Sequence, residues 1–413
     1  MQETYPRARR ERRIVLPGVL LLLMVCLMAL AGCSQPFSGS SQLVKSNTTN
    51  SGQPKSASLA ASSGKSTTAN GPVVLGNLHM FDQANGWAIT HDKIHVLHTR
   101  AGLARWQDVT PESSSHDLIE GTFFLNPTNA WVARIASQLP ATPAIFHTSD
   151  GGHSWQKALL PEQGLGVGSI VFVNAQTGWL LLGKGAGMNH EALDVLHTTN
   201  GGATWTVTTK ADNTTENKPD SIPFSGDKSG FNFTTSGDGW ITGTIPANDV
   251  TWLYSTHDGG ATWKHQDIPL ADKSSTVNTM PPVFFGSKDG ILPVILNTSH
   301  DTLFNAYTTH DGGASWQPST SVPGFAEALD FSDATHGWIA NKDAVYSTSD
   351  GGQRWSRYPL RQGKDLAGVQ QLNFVSPTTG WALMSFGSND TPMLFQTQDG
   401  GQSWSQLQPA LHP

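Results

Sequence analysis

One short pattern recurs along the chain and limits what it can fold into more than any other feature. Six times the sequence reads Thr-x-Asp-Gly-Gly-x-x-Trp or a one-residue variant, ending at Trp155, Trp205, Trp263, Trp316, Trp355 and Trp404. The third position holds Asp150, Asn200, Asp258, Asp311, Asp350 and Asp399. A seventh, degraded copy ends at Trp106 and has Ala101 where the aspartate stands elsewhere. Ahead of each copy lies a strand-like run, a polar turn and then a tryptophan that usually follows glycine, at 87, 131, 179, 240, 338 and 381, with Ile291 filling that place in the fifth repeat. Successive spacings are 44, 48, 61, 51, 47 and 43 residues. These two motifs account for every tryptophan except Trp252. A period of about 40–50 residues with several short strands in each unit is the signature of a β-propeller.

Each unit reads as four strands; in the third repeat these are 169–174, 178–183, 193–198 and 204–209. A lone four-stranded sheet leaves a face exposed, and radial packing covers it with the next sheet, so seven repeats predict an all-β, seven-bladed propeller of antiparallel blades. The expected organisation is 1–32 as an export signal, 33–72 as a lipidated cysteine and disordered tether, and 73–413 as the propeller. No strand-swap latch is evident, 72–77 being the one stretch able to contribute to closure.

The recurring box resembles the Asp-box of bacterial neuraminidases, and the resemblance implies a hairpin between the third and fourth strands of each blade. In such a turn the aspartate accepts backbone N–H groups and the glycines supply positive φ. The tryptophan fills space between blades. Because the same residues recur in every blade, they read as structural, whereas a ligand site is normally unique. Together, the short blades, Gly-Trp turns and boxes over 73–413 resemble the photosystem II assembly and stability factor-like group. That resemblance implies a scaffold that binds protein partners without catalysis.

The N-terminus reads as an address. Arg7, Arg9, Arg10, Arg12 and Arg13 precede an almost wholly apolar run, 14–32, that ends in Leu30-Ala31-Gly32-Cys33. This resembles the bacterial lipobox, which implies that Cys33 is lipidated and that the propeller is tethered to the cell membrane on its extracytoplasmic side. An uncleaved spanning helix is the alternative. Residues 34–72 are rich in Ser, Thr, Asn, Gly and Ala and predict a flexible leash.

Function classes narrow by composition. The formal net charge is −7, and the chain after residue 32 carries 20 basic and 30 acidic residues, which disfavours nucleic acid as a partner. The two cysteines, 26 and 33, both lie in the N-terminal segment, so the propeller has no disulfide or cysteine metal site. No histidine spacing suggests a metal centre, and no cofactor is expected. His98, His147 and His197 share one repeat position and read as blade-surface residues.

A sialidase needs three converging arginines. After Cys33 there are six, at 100, 105, 134, 354, 357 and 361, and three of these lie inside boxes. Such a triad is not found, and no catalytic residue is assigned. A glycoside hydrolase or glycan-binding propeller of another type remains the alternative. It would draw two close carboxylates from the loops opposite the boxes: Asp117, Glu120, Glu191, Asp194, Asp249, Asp301, Asp343, Asp365 and Asp390. Residues 210–230 form a long polar insertion and a candidate for partner contact. Within it, 212–223 resembles a calcium loop only faintly, because Asn217 replaces the required glycine and Pro219 interrupts it.

Overall fold

The computed structural model describes residues 61–63, 71–113, 117–270, 275–360 and 366–412. Cys33, the lipobox and most of the tether lie outside these residues, as does Asp365. The described residues form an all-β fold. Its strands group into seven antiparallel four-stranded blades in chain order, spanning 75–108, 117–159, 166–211, 227–265, 283–318, 328–359 and 366–407.

The third blade shows how local sequence sets the strands. They are Gly166–Phe172, Gly178–Gly187, His190–Thr198 and Thr206–Ala211. The second and third strands run longer than the hydrophobic pattern predicts. Beyond Leu182 the chain turns glycine-rich, which hides the strand signal, yet the ladder continues through Gly185–Ala192 to Gly187–His190.

The core is divided among the blade interfaces. Seven clusters of buried apolar side chains each join one blade to the next, and one of them joins blade 7 to blade 1. Each interface pairs the turn-motif residue of one blade with the box tryptophan of the next. Trp87 meets Trp155, Trp131 meets Trp205, Trp179 meets Trp263, Trp240 meets Trp316 and Trp338 meets Trp404. At closure Trp381 meets Trp106. Between blades 5 and 6, Ile291 faces Trp355, which is only partly buried. Each fully covered indole removes enough apolar surface for a contribution of about 4 kcal/mol, an upper estimate.

Aromatic stacking orders these interfaces further. The Trp131 ring stacks on Phe172 of the next blade at 3.7 Å and on His147 of its own blade at 4.4 Å. Trp179 stands in the same way between Phe233 and His197, at 3.8 and 4.8 Å. The recurrent histidines are therefore packed and not surface residues: His98 is buried, and burial pulls both His98 and His147 down to about 4.

Closure uses both ends of the propeller. Gly71–Pro72 pairs with Ala410–Leu411, and Val73 N–H donates to Pro409 O at 3.0 Å. The C-terminal strand also runs beside Trp106 in blade 1, giving Trp106 N–H to Ala410 O at 3.0 Å and His412 N–H to Trp106 O at 2.8 Å. The latch is thus a two-ended one, built mainly from C-terminal residues that the sequence reading assigned no role. Two short strands, Ala61–Ser63 on the outer strand of blade 2 and Gly71–Pro72 in the latch, fall within the span read as disordered tether.

Blades 4 and 5 depart from strict repetition. The strand Thr276–Thr279 pairs with the second strands of both blades, Gly239–Asn248 and Asp289–Asn297, and links them into one sheet. It is separated from the rest of blade 5's first strand by Pro281 and Pro282, which have no N–H to give a ladder.

Candidate functional site

The boxes share one geometry. In each intact box the threonine hydroxyl donates to the aspartate (or Asn200) at 2.7–2.9 Å and accepts the N–H of the second glycine at 2.9–3.0 Å. Asp150 then accepts the Ser154 N–H at 3.0 Å and the Ser154 hydroxyl at 2.6 Å. Asp258, Asp311 and Asp399 repeat this arrangement, while Asp350 takes the Arg354 guanidinium in place of a hydroxyl. Asn200 reverses one bond by donating to the Thr204 hydroxyl at 2.9 Å. The Ser315 hydroxyl and N–H hold the Asp311 carboxyl down to about 2. Each box carboxylate is thereby engaged inside its own hairpin, so the boxes leave no unique site.

In blade 1 Ala101 supplies no such oxygen, and the Thr99 hydroxyl turns to Gly102 O at 2.7 Å. Trp131, Trp179 and Trp338 each donate their indole N–H to a box glycine carbonyl of a later blade at 2.8–2.9 Å. Trp381, which faces the degraded box, has no partner for its buried N–H among the described residues.

With the box hairpins on one face, the connections between second and third strands, and from fourth strand to the next blade, fall on the other. That face carries three features.

The first is an ion network on blade 3. Lys184 Nζ lies 2.7 Å from Glu162 and 3.0 Å from Asp194, and Lys210 Nζ lies 2.9 Å from Glu162. Asp194 is buried on a strand and not in a loop as the sequence reading had it, and burial raises its carboxyl. Hydrogen bonds from Lys184 and Lys210 hold Glu162 down to about 2. Sequence reasoning missed Glu162, whose only signal is position in a short connection. Of the other carboxylates singled out, Glu191 is brought to Lys228 and Asp249 to the Ser275 N–H at 3.2 Å, each on a different blade edge.

The second is the insertion. Lys228 points its ammonium at the carbonyls of Glu191, Phe224, Ser225 and Gly226, at 2.8–3.3 Å, while its N–H donates to Glu191 Oε2 at 2.7 Å. Burial draws Lys228 down to about 8, opposed by Glu191, Asp227 and Glu216. Trp252, the one tryptophan outside the repeats, lies under this ammonium at 5.2 Å and donates to Ser225 O at 2.9 Å. The insertion runs on along blade 4 to its box tryptophan, whose N–H donates to Asp220 O at 3.0 Å, and there, at the box end, a cleft of about 260 Å³ is lined by Glu216, Lys218, Asp220, Tyr254, Lys264 and His265 among others. Among the described residues no group of three His, Cys, Asp or Glu is placed to hold a metal ion.

The third is apolar. Among the described residues ten large hydrophobic side chains are exposed. All except Met393, which lies within a strand of blade 7, sit in the connections or strand ends of the face opposite the boxes.

Comparison with known proteins places this architecture. The family described as Photosynthesis system II assembly factor YCF48 matches residues 314–411, the last two repeats. A solved structure described as YCF48 bound to D1 peptide is 18% identical, covering 80% of this chain and 94% of its own, with a TM-score of 0.51. YCF48 from Cyanidioschyzon merolae is 17% identical over 82% of this chain and 99% of its own, also at 0.51. The GH74 xyloglucanase from Xanthomonas campestris reaches 0.55 at 12% identity, over 86% of this chain and 55% of its own. No curated protein matches the chain. The structural likenesses show the fold. Together with the match in the last repeats, they support the resemblance to the photosystem II assembly factor-like group of Asp-box propellers.

Proposed function

We propose, for a chain similar in fold and in its last repeats to the photosystem II assembly factor YCF48, that it is a non-catalytic, membrane-anchored scaffold whose propeller binds a protein partner outside the cytoplasm. The observation that carries this reading is the one-sided display of exposed apolar side chains, because monomeric surfaces keep such groups scattered and binding faces gather them. That a protein of the same fold is described bound to a peptide supports it. The anchor rests on the lipobox-like Leu30-Ala31-Gly32-Cys33. The role does not extend to photosynthesis by fold alone.

The second reading, a carbohydrate-active propeller, draws on Glu162 and Asp194, which meet at Lys184. A glycosidase pair flanks a bond to be cut, with room for sugar between the carboxyls. Here an ammonium occupies that position and Asp194 is buried, so the pair holds the blade edge together.

The test is a pull-down from detergent-solubilised membranes with the lipidated full chain, alongside a glycan-cleavage screen. A specific protein partner and no cleavage are expected. Cleavage abolished by Glu162→Gln, with no protein retained, would replace the scaffold reading with the enzymatic one.

A further inference from the structure

The main chain of the box tryptophan lies on the outer edge of its blade, and at three blades an unrelated segment of the chain docks there. At blade 1 the Trp106 N–H donates to Ala410 O and the Trp106 O accepts the His412 N–H. At blade 2 Ala61–Ser63 pairs with the outer strand, Ser62 opposite Trp155. At blade 4 the Trp263 N–H donates to Asp220 O of the insertion at 3.0 Å. The C-terminal segment lies parallel to its edge and the segment at blade 2 antiparallel, and their side chains share no pattern. What these edges take up is therefore extended backbone.

Blade 4 leaves part of its edge open. Its outer strand is Lys264–His265, with His265 opposite Tyr254. Gln266 N–H donates to Leu253 O at 2.9 Å, so in this antiparallel ladder Lys264 and Gln266 turn their main-chain groups into the blade, and Trp263 and His265 turn theirs out. The insertion takes the Trp263 N–H alone. Among the described residues the Trp263 C=O and the N–H and C=O of His265 have no partner. Both residues line the cleft of about 260 Å³ whose other wall is the insertion. Tyr254, also in the lining, has a hydroxyl with no hydrogen bond among the described residues. Other edges are blunted. Pro318 and Pro359 stand at outward positions of blades 5 and 6 and have no N–H, and a bulge breaks the outer strand of blade 3 after Val207.

Resting on the scaffold reading, we infer that this cleft takes an extended segment of the protein partner, which adds a strand to the outer edge of blade 4 and pairs its main chain with Trp263 and His265. The rim carries both signs of charge, Lys218 and Lys264 against Glu216 and Asp220, so charge does not choose the occupant. The outward N–H and C=O groups do: they match the alternating donors and acceptors of an extended peptide, as Trp106 and Trp155 are matched within this chain.

The test pans a random octapeptide display library on the full chain carrying Cys33→Ala and measures the most enriched peptide by fluorescence anisotropy. His265→Pro removes the outward N–H without breaking a main-chain bond of the fold, and should weaken binding at least about tenfold. His265→Ala keeps that N–H and should bind as the parent does. On the parent chain, N-methylation of alternate peptide residues should weaken binding by a similar factor, a readout that holds even if His265→Pro fails to fold. Panning that enriches no peptide, or equal binding of methylated and unmethylated peptides, overturns the inference. So does equal binding by His265→Pro and the parent, or a loss with His265→Ala as large as with His265→Pro, which would make the imidazole the contact. The membrane pull-down, repeated with both variants in the lipidated chain, separates this site from the scaffold reading. A partner held by the parent and His265→Ala and lost by His265→Pro supports the site. A partner held by all three leaves the scaffold and overturns the site; no partner on the parent overturns the scaffold reading and with it the partner strand.

Discussion

The side-chain amide of Gln371 clasps the backbone of Leu78 from both sides: its Oε1 accepts the Leu78 N–H at 2.9 Å and its Nε2 donates to Leu78 O at 2.7 Å. These residues are the last blade's first strand and the first blade's first strand, 293 positions apart in sequence. The amide thus stands in for a strand neighbour at the seam where the chain's ends meet. Asn373 continues the seam by accepting Met80 N–H at 2.7 Å.

Replacing Gln371 by Leu removes both bonds and leaves a half-buried peptide group of Leu78 unpaired. Gln371→Leu should cost about 1–3 kcal/mol, read as a lower midpoint in urea with an unchanged slope. Blade 7 should also become more accessible to hydrogen exchange than blade 3. Unchanged stability would mean that the latch at 409–412 closes the ring unaided.

Three blades carry an amide or carboxyl side chain eight positions before the turn-motif tryptophan: Asn232, Asp330 and Asn373. Each reaches across to the next blade, and Asp330 accepts the Phe374 N–H at 2.5 Å. Burial pushes the Asp330 carboxyl up to about 6 from an ordinary 3.8. The folded state therefore binds the extra proton between these values. Its stability from this group is full below about pH 4 and is lost as pH rises to about 6. Asp330→Asn keeps an acceptor for Phe374, as Asn373 does for Met80, and does not titrate. The variant should melt about 2–4 °C higher than the parent at pH 7.5, with the gain vanishing near pH 4. Parallel melting curves at both pH values would refute the assignment.

The boxes give a graded prediction. Asp150→Ala removes acceptors for the Ser154 N–H and hydroxyl and should cost about 1–2 kcal/mol. Gly313→Ala should cost more, about 2–4 kcal/mol. Its φ is +85°, and a Cβ there would stand 2.4 Å from the Trp240 ring, so strain and overpacking combine. Thermal denaturation of both variants should order them in that way; the reverse order would place the weight of the hairpin on its carboxylate.

The repeats made the architecture legible because five of the seven interfaces reuse one chemistry, an indole from one blade and an indole and a phenylalanine from the next, with Ile291 and Met80 as the substitutes in the other two. Period and residue type sufficed to read seven four-stranded units. What escaped was whatever is not repeated. The histidines at 98, 147 and 197 looked like surface groups because imidazole is polar, yet each packs against a tryptophan ring, a contact that spacing does not reveal. The latch escaped because it pairs residues from opposite ends of the propeller. Lys184 and Glu162 are unremarkable in sequence and meet only because blade 2's exit passes blade 3's second strand. The exposed leucines were invisible for a related reason: no pattern within one blade distinguishes Leu159, open to solvent, from Leu160, buried beside it.

Lys228 provides the sharpest test of the insertion between blades 3 and 4. Residues 212–226 bury little apolar surface beyond Ile222, so ordering depends on polar contacts to neighbouring blades. The ammonium gathers carbonyls from both the insertion and the blade 3 hairpin, at Phe224, Ser225, Gly226 and Glu191. Trp252 below it accounts for a tryptophan that the repeats leave unexplained. Lys228→Met keeps the aliphatic length but takes the ammonium from all four carbonyls, leaving Ser225 O with only the Trp252 N–H and Phe224 O with only the Glu191 N–H. Limited proteolysis of that variant should cut within 212–226 at least about tenfold faster, corresponding to a local opening free energy lower by about 1.4 kcal/mol. Global stability should change less, because the interface tryptophans are untouched. Cleavage at the parent rate would show that Trp263, whose N–H donates to Asp220 O at 3.0 Å, pins the insertion without help from the lysine.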